Sequence, residues 1–245
     1  MARLPFDALV DILEAGATPR TTLSSGNLVF DLPSATANFF GRTGELTALR
    51  EMLDPSTPGR KGVVLYGLAG SGKTQLVLKF IQDCGSRYSA VIWINASSQE
   101  QTVQSFADVS ETISALWPTR DLPITYYGTN PERRVLSRLR STMHNHWLLV
   151  IDSADDIEAI HLSNLIPDCK HGSVVVTSTR RSAAELLEGH SFISLEVDSL
   201  DNLSASQLIL STAHTKPTQE ETPSRLDRRR LFLEAVLTLR HQEAV

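Results

Sequence analysis

Short continuous apolar runs alternate along this chain with stretches in which apolar residues recur every three or four positions. The segments Gly62-Val63-Val64-Leu65-Tyr66, Ala90–Asn95, His146–Asp152, Gly172–Ser178 and Phe192–Val197 have strand length and predict five strands. Ala90–Asn95 is a continuous apolar run, typical of a parallel strand covered on both faces. Between them, Leu76, Val77, Phe80 and Ile81 share one helical face after Gln75, and Val103, Phe106, Val109, Ile113 and Leu116 recur at helical spacing until Pro118. Ser98 with Gln101 predicts a capping box for the second of these helices. Asn130-Pro131-Glu132 predicts a further helix opening, with proline at the first helical position and Val135, Leu136, Leu139 and Met143 toward the sheet. Upstream, Thr43 is expected to cap a helix with Leu46, Leu49 and Leu53 on one face and Glu45 in its first turn. Ala184, Leu186 and Leu187 mark a helix after the fourth run, and Leu200–Ser204 opens another whose Leu203, Leu208, Ile209 and Leu210 are expected to pack back on the domain. Alternation of strands with helical segments implies right-handed crossovers, helices on both sheet faces, and a ligand site at the carboxyl edge of the strands.

The pattern sets the boundaries. Residues 1–38 read as a partly disordered lead-in, in which Leu4–Leu13 could form a short helix before Gly16, Pro19, Ser24, Ser25, Gly26 and Pro33 interrupt it. Residues 39–200 form the α/β domain, and residues 201–245 a small C-terminal helical part. Within the latter, Thr215–Ser224 is polar with two prolines, and Arg225–Val245 could be a helix bearing Arg228-Arg229-Arg230. A solvated helix face is favoured for that cluster over an anion-binding patch, because Asp227 and Glu234 flank it.

Composition narrows the picture further. With 245 residues and 41% apolar content the chain can bury a sizeable core, and its formal charge of −5 argues against a sequence-independent grip on nucleic acid. Cys84 and Cys169 lack metal-ligand or redox spacing, so reducing cytoplasm is expected. No apolar run approaches the roughly 18 residues of a membrane span, and the early acids Asp7, Asp11 and Glu14 do not fit a targeting segment. No membrane partner is expected.

The chemistry sits after the strands. Gly67-Leu68-Ala69-Gly70-Ser71-Gly72-Lys73-Thr74 fits the phosphate-binding pattern G-x-x-x-x-G-K-[ST], between a strand and a helix as that pattern requires. Its glycines let successive N–H groups face one anion, and the helix that follows adds its positive end. Lys73 would reach the β- and γ-phosphates, and the Thr74 hydroxyl would hold Mg²⁺. The third strand ends in Asp152, where a nucleoside triphosphatase carries its metal-binding acid. The fourth delivers Arg180 as a candidate γ-phosphate sensor; for Arg181 a solvated loop arginine is preferred.

In this order the motifs resemble those of the STAND class of signalling ATPases, within it the NB-ARC and NACHT domains of NOD-like receptor (NLR) type, with a fungal flavour. Phe40-Gly41-Arg42 resembles the family's adenine-contact motif, GLAGSGKTQL (Gly67–Leu76) its Walker A, and Val91–Asn95 the following strand. Leu148–Asp156 looks like the extended Walker B, with Ser153 after the metal acid and then Asp155 and Asp156; Gly172–Arg181 looks like the sensor segment, and Leu195–Leu200 like the passage into the helical lid. The likeness covers residues 39 to about 210. It implies a P-loop NTPase of three α/β/α layers, with a five-stranded parallel sheet in the ASCE-type order that puts the sensor strand between the Walker A and Walker B strands, plus a small C-terminal helical remnant. Gly41, Arg42, Gly67, Leu68, Ala69, Gly70, Ser71, Gly72, Lys73, Thr74 and Gln75 are the implied nucleotide contacts. Thr74 and Asp152 are the implied Mg²⁺ ligands, and Lys73, Asp152, Asp155 and Arg180 the catalytic set, with Asp155 polarising the attacking water.

The departures are informative as well. There is no Gly-Leu-Pro-Leu-like motif in the lid, no winged-helix segment with its histidine, no effector domain and no sensor repeats. The expectation is a chain truncated after the nucleotide-binding subdomain that holds ATP or ADP loosely, hydrolyses slowly, and pairs with its own kind or with other NLR-type proteins. Two other readings stay open. One is a nucleotide-independent remnant that pairs with full-length relatives; the other is a small-molecule kinase or motor ATPase, which Ser153 disfavours because many motors carry a glutamate there.

Overall fold

The computed structural model describes residues 28–30, 32–116, 130–141, 145–188 and 192–214. The proposed helix at Leu4–Leu13, the loop at Asp121–Thr129, Met143, and the C-terminal stretch with Arg228-Arg229-Arg230 lie outside the described residues. Contacts divide the chain into two units. One holds residues up to Thr36 together with Arg42–Ser199, the other Ala37–Gly41 together with residues from Leu200 onward.

In the larger unit, six strands form one parallel sheet: β1 (Leu28–Phe30), β2 (Lys61–Tyr66), β3 (Ala90–Asn95), β4 (Trp147–Asp152), β5 (Ser173–Ser178) and β6 (Phe192–Glu196). Their order is β1-β3-β4-β5-β2-β6. The five expected strands are all present in the ASCE-type order, with β5 between β4 and β2. The sixth, β1, comes from the lead-in segment and extends the sheet by pairing with β3.

Helices α1 (Thr43–Met52), α2 (Lys73–Cys84), α3 (Gln99–Leu116), α4 (Pro131–Arg140) and α5 (Arg181–Glu188) complete the α/β/α layers. Alternate side chains of a strand face opposite sides. Accordingly Ile92, Ile94, Leu149, Ile151, Val174 and Val176 share a core with α3, α4 and α5, while Val63, Leu65, Trp93 and Val150 are buried outside that cluster, as are Leu46, Leu49, Leu53, Leu76 and Phe80 of the α1–α2 side. Fully burying one such side chain contributes about 1.5–3 kcal/mol.

Local expectations hold in part. Asn130 caps α4, its Oδ1 accepting from Glu132 N at 2.9 Å and Arg133 N at 3.4 Å. Ser98 Oγ accepts from Gln101 N at 3.2 Å, but Gln101 Oε1 takes its bond from Asn95 Nδ2 rather than completing the reciprocal box. Val103 is 57% exposed. The buried stripe of α3 runs through Thr102, Phe106, Val109 and Ile113, and at 3.6 residues per turn Val103 lies about a quarter turn away from it. Thr43 is the first helical residue of α1 and not its cap; the cap position belongs to Arg42, in the left-handed conformation at φ 59°. Arg181 opens α5 rather than lying in a loop; its side chain is solvated as expected, 74% exposed, with the guanidinium carbon 6.0 Å from the Tyr66 ring centroid. Leu186 of α5 is exposed.

The smaller unit contains α6 (Asn202–His214), whose start is capped by Asp201, with Oδ1 accepting from Ser204 N at 2.9 Å. Leu203, Ile209 and Leu210, expected to pack, are exposed, and Ser204 is the buried residue of that turn. Gly41 belongs to this unit. A Cβ there would meet Ser204 Oγ at 2.4 Å, and its φ of +67° suits glycine.

Candidate functional site

Parallel pairing aligns the carboxyl ends of β2, β4 and β5, and the residues that follow them are brought together. Gly67, Gly70 and Gly72 have φ of +151°, +78° and +90°, so the loop takes a path closed to other residues. Added Cβ atoms at Gly70 and Gly72 would meet nothing within 4 Å, whereas at Gly67 one would strike Val197 O at 2.3 Å. Gly67 therefore admits close backbone approach, while Gly70 and Gly72 keep one side of the loop open. Leu68, Ala69 and Gly70 are exposed at the loop's tip. Ser71 N donates to Leu68 O, and Ser71 Oγ is buried without a hydrogen-bond partner.

Lys73 begins α2 and is buried. Its Nζ donates to Gly67 O and Leu68 O, each at 2.8 Å. Burial pulls the ammonium below its ordinary pKa, against the opposing pull of the Asp155 and Asp152 carboxylates. Thr74 Oγ1 donates to Asp152 Oδ1 at 2.9 Å, and Thr177 Oγ1, from β5, donates to the same oxygen at 2.6 Å. Asp152 thus stands at the tip of β4 between the hydroxyls of α2 and β5. Ser153 follows it at φ 63°, with its N–H on Thr177 Oγ1 at 2.8 Å.

Asp155 is held across the same edge. Its Oδ1 accepts from Thr179 N at 2.6 Å and lies 3.2 Å from Ser178 Oγ. Asp156 instead serves a local turn, its Oδ1 accepting from Ala159 N. Arg180 follows β5 as expected; its N–H donates to Ser178 Oγ at 3.0 Å and its side chain is exposed. Gln75 turns its Oε1 to Thr36 N at 2.8 Å, so the lead-in segment reaches the first turn of α2. Arg42 reaches the loop itself, with Nη2 donating to Ser71 O at 2.8 Å and Nη1 paired with Glu45 at 2.7 Å.

The structure thus gathers Lys73, Thr74, Asp152 and Asp155, sets Arg180 at the rim of the same edge, and brings the Arg42 guanidinium to the loop. Sequence reasoning missed Thr177 and Ser178, which hold the two acids. The readable signal was the change from Val176 to Thr177-Ser178 at the end of an otherwise apolar strand.

These residues fit a phosphate with Mg²⁺. The loop offers N–H groups, a buried orphan hydroxyl at Ser71 and one lysine, and Thr74 with Asp152 supplies the hard oxygen donors that the cation prefers. No cluster of three or more His, Cys, Asp or Glu suited to a metal occurs among the described residues, and none of the described helices is long and apolar enough to cross a membrane.

Fold and loop together define a P-loop nucleotide-binding ATPase domain. The AAA ATPase domain family matches residues 38–165, and the chain belongs to that family. It is also similar to a nucleotide-binding leucine-rich repeat (NLR)-like protein of Hyaloscypha variabilis, 24% identical over 192 residues that cover 69% of this chain and 19% of that protein. Among solved structures it resembles Cdc6p of Pyrobaculum aerophilum (TM-score 0.44, 18% identity, 66% of this chain and 46% of that one). It also resembles a chain of Drosophila ORC bound to DNA (TM-score 0.47, 16% identity, 70% and 46%). The chain spans about a fifth of the length of its curated relative and under half of each of these solved chains.

Proposed function

We propose that this chain is an ATP/ADP-binding switch module of the STAND class, of NB-ARC/NACHT type, that depends on Mg²⁺ and hydrolyses ATP slowly. The observation that carries the reading is the Thr74–Asp152 pair standing beside a glycine loop whose lysine is buried against it. The motif order and the NLR-like relative support the finer class. On this reading, amides of Gly70–Thr74 and the Lys73 ammonium bind the phosphates, and Thr74 and Asp152 hold Mg²⁺, which neutralises charge on the phosphate oxygens when bound. The likeness at Phe40-Gly41-Arg42 supports this peptide as the border of the base.

Thr177 orients Asp152, and Ser178 with the Thr179 N–H orients Asp155, so both carboxylates are fixed before any ligand arrives. Asp155 polarises the attacking water, and Arg180 registers the γ-phosphate from the rim. Positioning and electrostatics supply most of phosphoryl-transfer catalysis. A site whose arginine sits on the exposed rim therefore binds more readily than it turns over. The partners this reading implies are nucleotide and other NLR-type chains.

Calorimetric titration with Mg-ATP and Mg-ADP, paired with steady-state phosphate release, tests the proposal. Micromolar or tighter binding with slow release supports it, and Asp155→Asn should slow release while sparing affinity. Brisk turnover would point to a kinase or motor, and absence of binding to a nucleotide-independent interaction protein.

A further inference from the structure

The chain leaving β6 touches the phosphate loop at two places. Val197 N donates to Tyr66 O at 2.8 Å, and Val197 O sits where a Cβ on Gly67 would be, 2.3 Å away. These contacts fix the loop's first residue against a buried Val197. The second place is Arg42. Its guanidinium, whose side chain is only 7% exposed, pairs with Glu45, donates through Nη2 to Ser71 O, and donates from the same nitrogen to Asp198 O. Its backbone adopts a left-handed conformation that non-glycine residues seldom hold unless their surroundings impose it. One side chain thus joins the start of α1, the middle of the phosphate loop and the peptide that leads on to α6.

A loop that receives phosphate must turn its N–H groups inward, which turns carbonyls such as that of Ser71 away from the anion. The Arg42 guanidinium takes up that outward carbonyl through a charge-assisted bond. The same planar group then holds the Asp198 carbonyl, so loop and exit peptide share one anchor. We propose that Arg42 is a positioning residue that couples the phosphate loop to the exit peptide at residues 197–199, so that nucleotide phosphate at the loop sets the order of that peptide. This rests on the nucleotide-binding reading above. It gives that reading a route by which ligand state leaves the site, through protein carbonyls and not through the nucleotide itself.

Hydrogen exchange by mass spectrometry on the full chain, with and without saturating Mg-ADP, tests the coupling. In the wild type, Mg-ADP should slow exchange in residues 67–74 and 196–199 together. Arg42→Gln should weaken ADP about tenfold, as expected for one charge-assisted bond, and at saturation should protect the loop while leaving 196–199 exchanging as in the free protein. Arg42→Lys keeps charge and length but cannot span three acceptors; it should match the wild type in melting temperature and still lose the coupled protection. Protection of 196–199 in the Arg42 variants equal to wild type would overturn the proposal, as would a wild type in which ADP protects the loop alone. If ADP does not bind the wild type, the nucleotide reading falls and the anchor is judged on the free proteins. There Arg42→Gln should speed exchange in both segments by similar factors, and acceleration confined to one of them would overturn the shared anchor.

Discussion

Lys61 and Lys73 stand at opposite ends of the sheet, and each donates to two carbonyls of a nearby loop: Thr57 O and Gly59 O for Lys61, Gly67 O and Leu68 O for Lys73. Burial lowers the pKa of both. What differs is the company. Around Lys61 lies a cleft of about 190 Å³ that includes Tyr88, Trp147 and His171. There Tyr88 OH donates to Leu53 O, Trp147 Nε1 donates to Leu139 O, and His171 Nε2 lies 2.9 Å from the same Leu139 O. Each of these side chains closes a main-chain carbonyl, so this end reads as structural. Around Lys73, two carboxylates and three hydroxyls from α2 and β5 meet one another, beside glycines with open space on one side. A lysine on carbonyls is therefore no sign of function by itself; convergence of opposite charges beside a loop with room for an anion is.

The contrast can be broken experimentally, most strongly through its two lysines. Lys73→Ala should weaken Mg-ADP and Mg-ATP by about a hundredfold or more, equivalent to roughly 3 kcal/mol, with little change in melting temperature, as read by calorimetry and thermal unfolding. Equal loss of stability would make Lys73 a structural residue like its counterpart. Asp152→Asn should remove the gain in affinity that Mg²⁺ provides, about tenfold, so that titrations with and without Mg²⁺ coincide. At the other end, Tyr88→Phe should cost about 1 kcal/mol in denaturant unfolding by leaving Leu53 O without its partner, and should leave nucleotide affinity unchanged.

Tyr88 also carries a pH signature. Burial raises its pKa above the ordinary 10.0, so the folded chain holds a proton that the unfolded chain releases, and stability falls as pH rises beyond 10.0 toward the higher folded value. Unfolding midpoints measured across that range should fall less steeply for Tyr88→Phe. The smallest effect is expected from Lys61→Met, which keeps the apolar stem: within about 1 kcal/mol in stability and no change in affinity.

The ends of the sheet also differ in how far they could be read in advance. The carboxyl edge was legible because its chemistry sits in a fixed spacing: Gly67 to Thr74 is one contiguous signal, and Asp152 ends an unbroken apolar run. The strand order followed from the resemblance, not from spacing. What stayed hidden was set by partners distant in sequence. β1 is three residues long, too short for any periodicity, and exists by pairing with β3. Arg42 took the cap position expected of Thr43 because its guanidinium is held by Ser71 and Asp198, 29 and 156 residues away. Val103 matched the helical spacing yet missed the core, since polar Thr102 and Ser105 occupy the stripe beside Phe106. Asp155 was singled out from Asp156 by the resemblance alone, and what spacing could not show is that Ser178 and Thr179 reach Asp155 while Asp156 accepts from Ala159 N in a local turn.

The proposed nest of backbone amides at residues 67–74 for a nucleotide's phosphates is tested most directly by following the amide resonances of the isotopically labelled chain during titration with Mg-ADP. Saturable shifts centred on Gly70–Thr74, with the amides of Lys61, Tyr88 and His171 unmoved, are the predicted result; shifts centred on the Lys61 cleft, or none along the loop, would contradict it.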